Sequence, residues 1–248
     1  MVFRNTDREW NKWDKDDLYY AVLASPKYRN RENMEEFFAS GEQNFLHMRE
    51  GFDHLSIPLT PEGKALDYGC GVGRVLKPFG QYFQQAVGID VSRAMVEEAQ
   101  QNINVDTTEV RLVENNDLAS CLGDDTFLFI HTRLVLQHIP AKTGFQIIRQ
   151  LLERLDKKGK SYIQAPMMPR KKWIYFINQL RFMLPFTFKL SELLLGKEHP
   201  LTDPVTEMNV YPAHPMLLLI DELGIEVRHI ALSTNRNLTA AAWYLYRP

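Results

Sequence analysis

The stretch of residues 66–74, Leu-Asp-Tyr-Gly-Cys-Gly-Val-Gly-Arg, decides the fold class of this chain. A short β-rich run ends there in three alternating glycines, and a helical pattern begins directly behind them. Glycines let a backbone turn sharply and approach a ligand, and the start of the helix offers free amide donors. The spacing is G-x-G-x-G rather than the G-x-G-x-x-G of dinucleotide-binding loops, and Asp67 stands two positions before the first glycine. The stretch therefore predicts a ligand site, although glycine loops alone also bind nucleotides, flavins or nothing.

β-Rich runs alternate with helical patterns from residue 63 onward. The runs span residues 64–68, 86–90, 109–113, 127–130 and 160–164. Between the last two, residues 143–155 carry large apolar side chains at helical spacing, and Gly159 stands where a turn would end that helix. This alternation is expected of a parallel sheet covered by helices on both faces.

The last two β-rich runs break the alternation. They span residues 224–230 and 240–246, and only a turn at 233–237 separates them. So short a connection permits only an antiparallel pair. Five strand–helix units followed by such a hairpin are not expected of a plain dinucleotide-binding fold, which also argues against a nicotinamide-dependent dehydrogenase.

Two segments lie outside this alternation. Residues 1–62 read as a helical N-terminal cover. The remaining domain, residues 63–248, carries an insertion at about 167–212 between the fifth strand and the last helix.

Composition argues against several classes of protein. The formal net charge of −2 gives the chain no overall electrostatic attraction to nucleic acid. The two cysteines, Cys70 and Cys121, cannot build a disulfide framework and lack metal-ligand spacing, which favours a reducing, cytoplasmic setting without a structural metal. Residues 1–17 are polar and lack the apolar core of a signal peptide.

An acidic residue closes the second β-rich run. Asp90 would lie at the carboxyl edge of the sheet, where a carboxylate can accept both hydroxyls of a ribose. From the residues alone, Asp90 could instead cap the following helix, beside Ser92. Together with the glycine loop, the segment Gly-Ile-Asp-Val-Ser at 88–92 resembles motif I and the next acidic motif of the class I S-adenosylmethionine-dependent methyltransferases. The resemblance covers roughly residues 60–166, and the terminal hairpin is similar to the sixth and seventh strands of that family.

The resemblance implies a fold, a cofactor and a set of site residues. The fold would be α/β and Rossmann-like, with a doubly wound seven-stranded sheet that is mostly parallel, an antiparallel strand in the C-terminal hairpin, the helical cover and a lid insertion. The cofactor would be S-adenosylmethionine and the product S-adenosylhomocysteine. The implied cofactor-binding residues are Asp67, Gly69, Cys70, Gly71, Asp90, Val91, Asn116, Asp117, Leu118 and Thr132.

The resemblance also assigns roles within that set. Residues 69–71 would line the methionine and ribose parts of the cofactor, Asp67 would order the loop, and Asp90 would hold the ribose hydroxyls. Either Asn116 or Asp117 would read the adenine amino group, and this choice stays open.

Histidines near the fourth β-rich run are the candidates for a general base. Methyl transfer needs no invariant catalytic residue, but a base helps when the acceptor is a hydroxyl or a protonated amine. His138 is the first candidate because its run, Leu-Gln-His-Ile-Pro at 136–140, is similar to one in small-molecule methyltransferases; a structural role beside the proline is the alternative. His131 and His214 are further candidates. The chain departs from the family at Leu128, where an aspartate is usual, and lacks the Asn/Asp-Pro-Pro-Tyr/Phe motif of enzymes that methylate amide or adenine nitrogens.

The insertion contains an aromatic and aliphatic run at 170–188 that begins with the basic triplet Arg-Lys-Lys. Three interpretations stay open: a lid that covers the acceptor pocket, a lining for a hydrophobic acceptor, or a segment that docks on a membrane surface. The position of the run, beside the ends of the fourth and fifth strands, favours a role in acceptor choice.

In the N-terminal cover, Tyr20 or Arg49 could touch the methionine end of the cofactor. The alternative is that the aromatic residues of this segment, which recur at helical spacing, belong to the core.

The sequence thus predicts a cytoplasmic enzyme that transfers a methyl group from S-adenosylmethionine to an O or N atom of a small molecule, with no nucleic acid as partner. A lipid or polyprenyl-quinone acceptor at a membrane surface is the alternative within the same class. From a different class, the chain could be a cofactor-binding but inactive interaction subunit. An open pocket beside the methyl group would favour the enzyme, and an occluded one the interaction subunit.

Overall fold

The computed structural model describes residues 9–103, 106–114, 117–170, 173, 208–234 and 238–248. The strands are β1 (Lys64–Tyr68), β2 (Gln85–Asp90), β3 (Thr108–Leu112), β4 (Phe127–Thr132), β5 (Leu155–Pro169), β6 (Glu226–Thr234) and β7 (Leu238–Tyr246). The described α-helices are α1 (Leu18–Leu23), α2 (Met34–His54), α3 (Leu76–Tyr82), α4 (Arg93–Asn102), α5 (Leu118–Leu122), α6 (Ala141–Glu153) and α7 (Ala213–Glu222). Short 3-10 segments span Lys15–Asp17, Pro26–Arg31 and Leu136–His138.

All seven strands form one sheet in the order β3-β2-β1-β4-β5-β7-β6. Strands β1 to β5 pair in parallel, whereas β7 runs antiparallel to both of its neighbours, β5 and β6. The predicted doubly wound, mostly parallel sheet with a C-terminal antiparallel hairpin is therefore confirmed. The sheet order also brings the carboxyl ends of β1, β2 and β4 side by side, which positions the ligand site.

Helix α6 shows how the sequence pattern fixes the layers around the sheet. Its buried residues recur every three or four positions and so form one face of the helix. They are Gly144, Ile148, Leu151 and Leu152. The three larger ones share an apolar cluster with β4 and β5 side chains, which holds the helix on the sheet as the periodicity predicts.

Strand β5 begins earlier than the sequence predicts. Its first residue, Leu155, already pairs with β4, two residues after α6 ends at Glu153. The expectation that Gly159 ends this helix is therefore wrong. Gly159 lies inside β5, where its carbonyl accepts a hydrogen bond from the backbone N–H of Arg247 (3.0 Å), and the positive φ falls on Lys158 (62°). Pairing with distant segments has outweighed the local turn preference.

At its other end, β5 runs to Pro169, three residues into the expected insertion, because Met168 and Pro169 pair with β7. Of the run at 170–188, only Arg170 and Trp173 lie among the described residues, so the three interpretations of that run fall outside what the structure describes. Within the described ranges, no helix is both long enough and apolar enough to cross a membrane.

Helix α2 comes very close to the glycine loop at Gly41. A Cβ at this position would lie 2.0 Å from the backbone carbonyl oxygen of Arg74. Replacing glycine with alanine inside a helix ordinarily stabilises by about 0.5–1 kcal/mol. Here we expect Gly41→Ala to lower the free energy of unfolding by about 1–3 kcal/mol, because the added methyl group overpacks the contact.

Urea denaturation measures this change. The matched control is Ala39→Gly on the exposed side of the same helix, which should cost no more than about 1 kcal/mol through helix propensity alone. A Gly41→Ala protein that is more stable than the wild type would show that α2 does not pack so closely on the loop.

Candidate functional site

A cavity of about 340 Å³ opens at the carboxyl ends of β1, β2 and β4, where ligands bind in open α/β sheets. Its volume lies in the range of about 300–1,000 Å³ that is typical of small-molecule sites. Most of its wall comes from the glycine loop, the end of β2 and the segment after β4. Of the predicted cofactor-binding residues, those that line the cavity are Gly69, Cys70, Gly71, Asp90 and Val91.

The glycine loop is pinned to the neighbouring strand. The backbone N–H groups of Gly69 and Cys70 both donate to the carbonyl oxygen of Ile89 on β2, at 2.8 and 3.1 Å. Gly69 has a φ of 74°, and a Cβ there would lie 2.3 Å from a methyl group of Val135. Only glycine fits this conformation and this approach, so the loop presents backbone to the cavity. Burial raises the pKa of the Cys70 thiol well above its usual value, which keeps it protonated and unreactive.

Asp90 ends β2 at the cavity wall. Its Oδ2 accepts a hydrogen bond from the backbone N–H of Gly71 (2.9 Å), and its Oδ1 accepts one from the backbone N–H of Ser92 (2.9 Å). A carboxylate has about four acceptor positions, so each oxygen keeps capacity for a further donor. Burial raises the pKa of Asp90 to about 6 in spite of these two donors. Ser92 does stand at the N-cap of α4, but its hydroxyl donates to the carbonyl of Trp10 (3.3 Å) instead of capping the helix.

Asp67 lies behind the loop and does not line the cavity. It is 3% exposed, and its Oδ1 lies 2.7 Å from Nδ1 of His131, which is 2% exposed. The two residues meet because Asp67 of β1 stands directly opposite His131 of β4 in the sheet. The buried pair joins the ends of β1 and β4, and the role of Asp67 in ordering the loop stays a prediction. No group of three His, Cys, Asp or Glu side chains in the described ranges could hold a metal ion.

The predicted adenine end is only partly described. Asp117 caps α5: its carboxylate accepts hydrogen bonds from the backbone N–H and the hydroxyl of Ser120, at 3.0 and 2.7 Å, and these bonds lower the pKa of Asp117. Leu118 is buried in the core, and neither residue lines the cavity. Asn116 lies outside the described residues, so the choice between Asn116 and Asp117 stays a prediction. Thr132 is fully buried at the end of β4, away from the cavity lining.

His138 lines the cavity, as a candidate base must. Its Nε2 lies 2.9 Å from the amide Nε2 of Gln137, and its ring meets the edge of Trp10 at 5.1 Å between centroids. Because an amide nitrogen donates, the imidazole Nε2 acts as the acceptor in this pair. A proton transfer through Nε2 would first have to displace Gln137. The other two candidates are further from this role, since His131 is buried against Asp67 and His214 is exposed on α7.

The N-terminal cover reaches the cavity through residues that the sequence analysis did not single out for it. Trp10 and Val22 line the wall, and Asn11 fixes this edge by donating to the carbonyl of Val91 (3.3 Å). Tyr20 and Arg49, the residues expected to touch the cofactor, are not among the lining residues. Tyr20 is buried, and the guanidinium of Arg29 lies 3.6 Å from the centre of its ring. Arg49 packs over the ring of Tyr82 at the end of α3.

The segment directly after β4 supplies a further set of lining residues that the sequence analysis missed. Leu134 adopts a left-handed backbone conformation (φ 63°), so the chain turns sharply and directs this segment into the cavity. Arg133 is the one charged side chain of that segment, and its Nη1 donates to Oδ1 of Asn44 on α2 (2.6 Å). The sequence did contain a signal for Arg133. It is a basic residue directly after β4, and β4 pairs with β1, the strand that leads into the glycine loop.

Similar folds occur in solved methyltransferases. Magnesium protoporphyrin IX methyltransferase from Synechocystis PCC 6803, with S-adenosylhomocysteine bound, aligns over 98% of this chain and 100% of its own, with a TM-score of 0.62 and 14% identity. The YcgJ protein from Bacillus subtilis aligns over 81% of this chain and 98% of its own, with a TM-score of 0.53 and 15% identity. These likenesses, together with the sheet order, define the Rossmann-like methyltransferase fold.

Sequence comparison matches part of the chain to a protein family. Residues 65–159 match the family described as a methyltransferase domain. An uncharacterized methyltransferase of Bacillus subtilis, YcgJ, is 24% identical over 152 residues, which span 59% of this chain and 57% of that relative. Residues 65–159 are therefore similar to the methyltransferase domain of the class I S-adenosylmethionine-dependent methyltransferases.

Proposed function

We propose that this chain binds S-adenosylmethionine in the cavity and transfers its methyl group to an O or N atom of a small, hydrophobic acceptor. The observation that carries the proposal is Asp90, which faces the cavity at the end of β2 with its carboxylate fixed by the glycine loop. A carboxylate held in this way can accept hydrogen bonds from both hydroxyls of a ribose.

The rest of the cavity fits the same cofactor. Gly69 and Gly71 line the cavity without side chains, so a ligand can lie against the backbone of the loop. The apolar side chains of Val91 and Val113 line the same cavity and suit the face of an adenine ring.

The residues of the chain act by position rather than by covalent chemistry. The bound cofactor supplies a methyl group attached to a positively charged sulfur. Asp90 and the glycine loop would hold this cofactor. Transfer of its methyl group would leave the electron pair of the broken carbon–sulfur bond on the sulfur, and His138 would take up the proton that the acceptor loses once Gln137 is displaced. Holding the two reactants in line in a dry cavity supplies much of such a rate enhancement. Trp10 and Val22 form the wall on the side of the cover, where they would limit the access of water to the bound reactants.

The ends of the insertion support a role in acceptor choice. The backbone N–H of Asn209 donates to the carbonyl of Gln137 (2.7 Å), and the Tyr211 hydroxyl donates to the carbonyl of Ile139 (2.8 Å). The chain therefore returns from the insertion onto the loop that carries His138. Residues joined to this loop would stand beside the reacting methyl group and select the acceptor.

Isothermal titration of the wild-type protein tests the proposal. We expect S-adenosylmethionine and S-adenosylhomocysteine to bind, and NAD, the control ligand, not to bind. A folded protein that binds neither adenosyl ligand would overturn the proposal. Binding without methyl transfer to any hydroxyl or amine in a hydrophobic acceptor panel would favour the inactive interaction subunit.

A membrane-presented acceptor, such as a lipid or polyprenyl-quinone, is the second candidate. It is favoured by Met168 and Trp173, which are 53% and 62% exposed where the insertion begins and suit contact with an apolar surface. Sedimentation with anionic lipid vesicles distinguishes the two candidates, since the protein would stay in the supernatant if its acceptor were a free small molecule.

A further inference from the structure

Arg133 brings a positive charge to the cavity. It follows β4 directly, is half-buried and lines the wall. Its Nη1 donates to Oδ1 of Asn44 on α2 at 2.6 Å, and the amide nitrogen of Asn44 donates to the carbonyl of Ser40 at 2.6 Å. The guanidinium is therefore held in one orientation by a helix of the N-terminal cover.

A second guanidinium lies close to the first. Arg74, which follows the glycine loop, is 4% exposed and donates to the hydroxyl of Ser40 at 3.2 Å. Burial, together with the charge of Arg133, lowers the pKa of Arg74 to about 10. The positive charge of Arg133 therefore disfavours the charged form of Arg74.

This pair of arginines lacks a matching negative charge in the described part of the chain. The described arginine ion pairs all involve other arginines. Asp67, the carboxylate that stabilises the charge of Arg74 at longer range, is already engaged with His131. A partly buried charge without a counterion is costly, so the site favours an anion.

The sheet order locates that anion relative to the rest of the ligand. The order β2-β1-β4 places Asp90 on one side of the glycine loop and Arg133 on the other. If the ribose lies at Asp90, the amino-acid part of the cofactor extends along the loop toward Arg133.

We propose that Arg133 binds the α-carboxylate of the methionine part of S-adenosylmethionine, and that Asn44 is the residue that positions it. This inference rests on the proposed function. The planar guanidinium suits the two oxygens of a carboxylate. The N-terminal cover would thereby act on cofactor affinity through α2 as well as by closing the wall.

Isothermal titration of two proteins with two ligands tests the assignment in the manner of a double-mutant cycle, in which the guanidinium and the carboxylate are removed separately and together. The ligands are S-adenosylhomocysteine and its decarboxylated analogue, which lacks only the carboxylate. The wild-type protein should bind S-adenosylhomocysteine about 10- to 100-fold more tightly than the analogue. Arg133→Gln should lose about this factor for S-adenosylhomocysteine and change the affinity for the analogue by no more than about twofold.

Two further variants sharpen the test. Arg149→Gln, which removes an arginine from an exposed ion pair with Glu222 on the outer side of α6, is the matched control and should bind both ligands as the wild type does. Asn44→Ala should weaken S-adenosylhomocysteine binding by a smaller factor, about 3- to 10-fold. In this variant the guanidinium of Arg133 keeps its charge but loses the hydrogen bond that orients it.

The outcomes separate this inference from the proposed function. A wild-type protein that binds neither ligand would overturn both. If the wild type binds and Arg133→Gln lowers both affinities equally, Arg133 has only a structural role. If Arg133→Gln leaves S-adenosylhomocysteine binding unchanged but raises KM for a carboxylate-bearing acceptor, the anion belongs to the acceptor and the assignment is wrong. If Arg133→Gln fails to fold, Arg133→Lys replaces it in the test. Lysine keeps the positive charge but lacks the two parallel N–H donors of the guanidinium, so this variant should lose part of the selectivity for the carboxylate.

Discussion

Replacement of Asp90 by alanine is expected to lower the affinity for S-adenosylhomocysteine by at least about 100-fold. Each hydrogen bond between a ligand hydroxyl and a charged acceptor contributes about 1.5–3 kcal/mol, and Asp90 would make two. The variant also loses the bond from the Gly71 N–H that holds the glycine loop against the end of β2. Isothermal titration at pH 7 measures the loss.

The matched control for this variant is Asp221→Ala. Asp221 is exposed on α7 and does not line the cavity. Its replacement should change the affinity by less than about twofold, since an exposed substitution of this kind changes stability by no more than about 0.5 kcal/mol. Equal losses in both variants would mean that the loss in Asp90→Ala is not specific to the cavity.

The pH dependence of binding gives Asp90 a second signature. Its pKa is raised to about 6, so the carboxyl group takes up a proton as the pH falls through 6. The protonated group has fewer acceptor positions, and the affinity should fall about tenfold from pH 7 to pH 5 if only the ionised form binds. Asp90→Ala should lack this step. The stability of the unliganded protein changes with pH in the opposite direction. Between about pH 4 and pH 6 the carboxyl group of Asp90 is protonated in the native state but ionised in the unfolded chain, so its contribution to the free energy of unfolding falls as the pH rises through this range.

Removal of His131 is expected to cause the largest loss of stability. In His131→Leu, the carboxylate of Asp67 would stay buried without its partner at 2.7 Å. Breaking a buried pair in this way costs about 3–5 kcal/mol, because the remaining charge is uncompensated. Urea denaturation measures the free energy of unfolding, and the loss should appear as a lower midpoint with an unchanged slope.

The control is His229→Leu on the edge strand β6, where the histidine is exposed and the change should stay within about 0.5 kcal/mol. The double variant Asp67→Leu/His131→Leu should recover part of the stability, since replacing both partners leaves no unpaired polar group. A loss below about 1 kcal/mol in His131→Leu would mean that the pair does not hold the end of β1.

The sequence predicted those parts of the site that depend on residues close together in the chain. Glycine at position 69 is required by a positive φ, and this requirement acts within the few residues of one loop. Asp90 follows from a strand pattern and a position at its end. The antiparallel hairpin follows from the short connection between two β-rich runs. Each of these features depends on residues close together in the chain, so the pattern alone was sufficient.

The sequence did not predict the partners of these residues. Asp67 meets His131 and Arg133 meets Asn44 across 64 and 89 positions of the chain. The contacts between side chains so far apart depend on the register of β1 against β4 and on where α2 packs. The periodic spacing of apolar residues within one segment determines neither of these.

The same reason accounts for one incorrect expectation and one open interpretation. Gly159 was expected to end α6 because glycine favours such turns, but pairing with the end of the chain at Arg247 places it in a strand. For Tyr20 the sequence left two interpretations open, a contact with the cofactor or a place in the core; the fold of α1 buries it and brings Val22 of the same helix to the cavity.

The sequence by itself determined the class of fold, the glycine loop and the acidic residue after β2, because short-range sterics and strand periodicity act on neighbouring residues. Only the tertiary structure decided that Asp67 is paired behind the loop and that Arg133 faces the cavity. These outcomes depend on free energies of packing and desolvation between segments that are distant in the chain, and those energies exist only once the sheet has assembled.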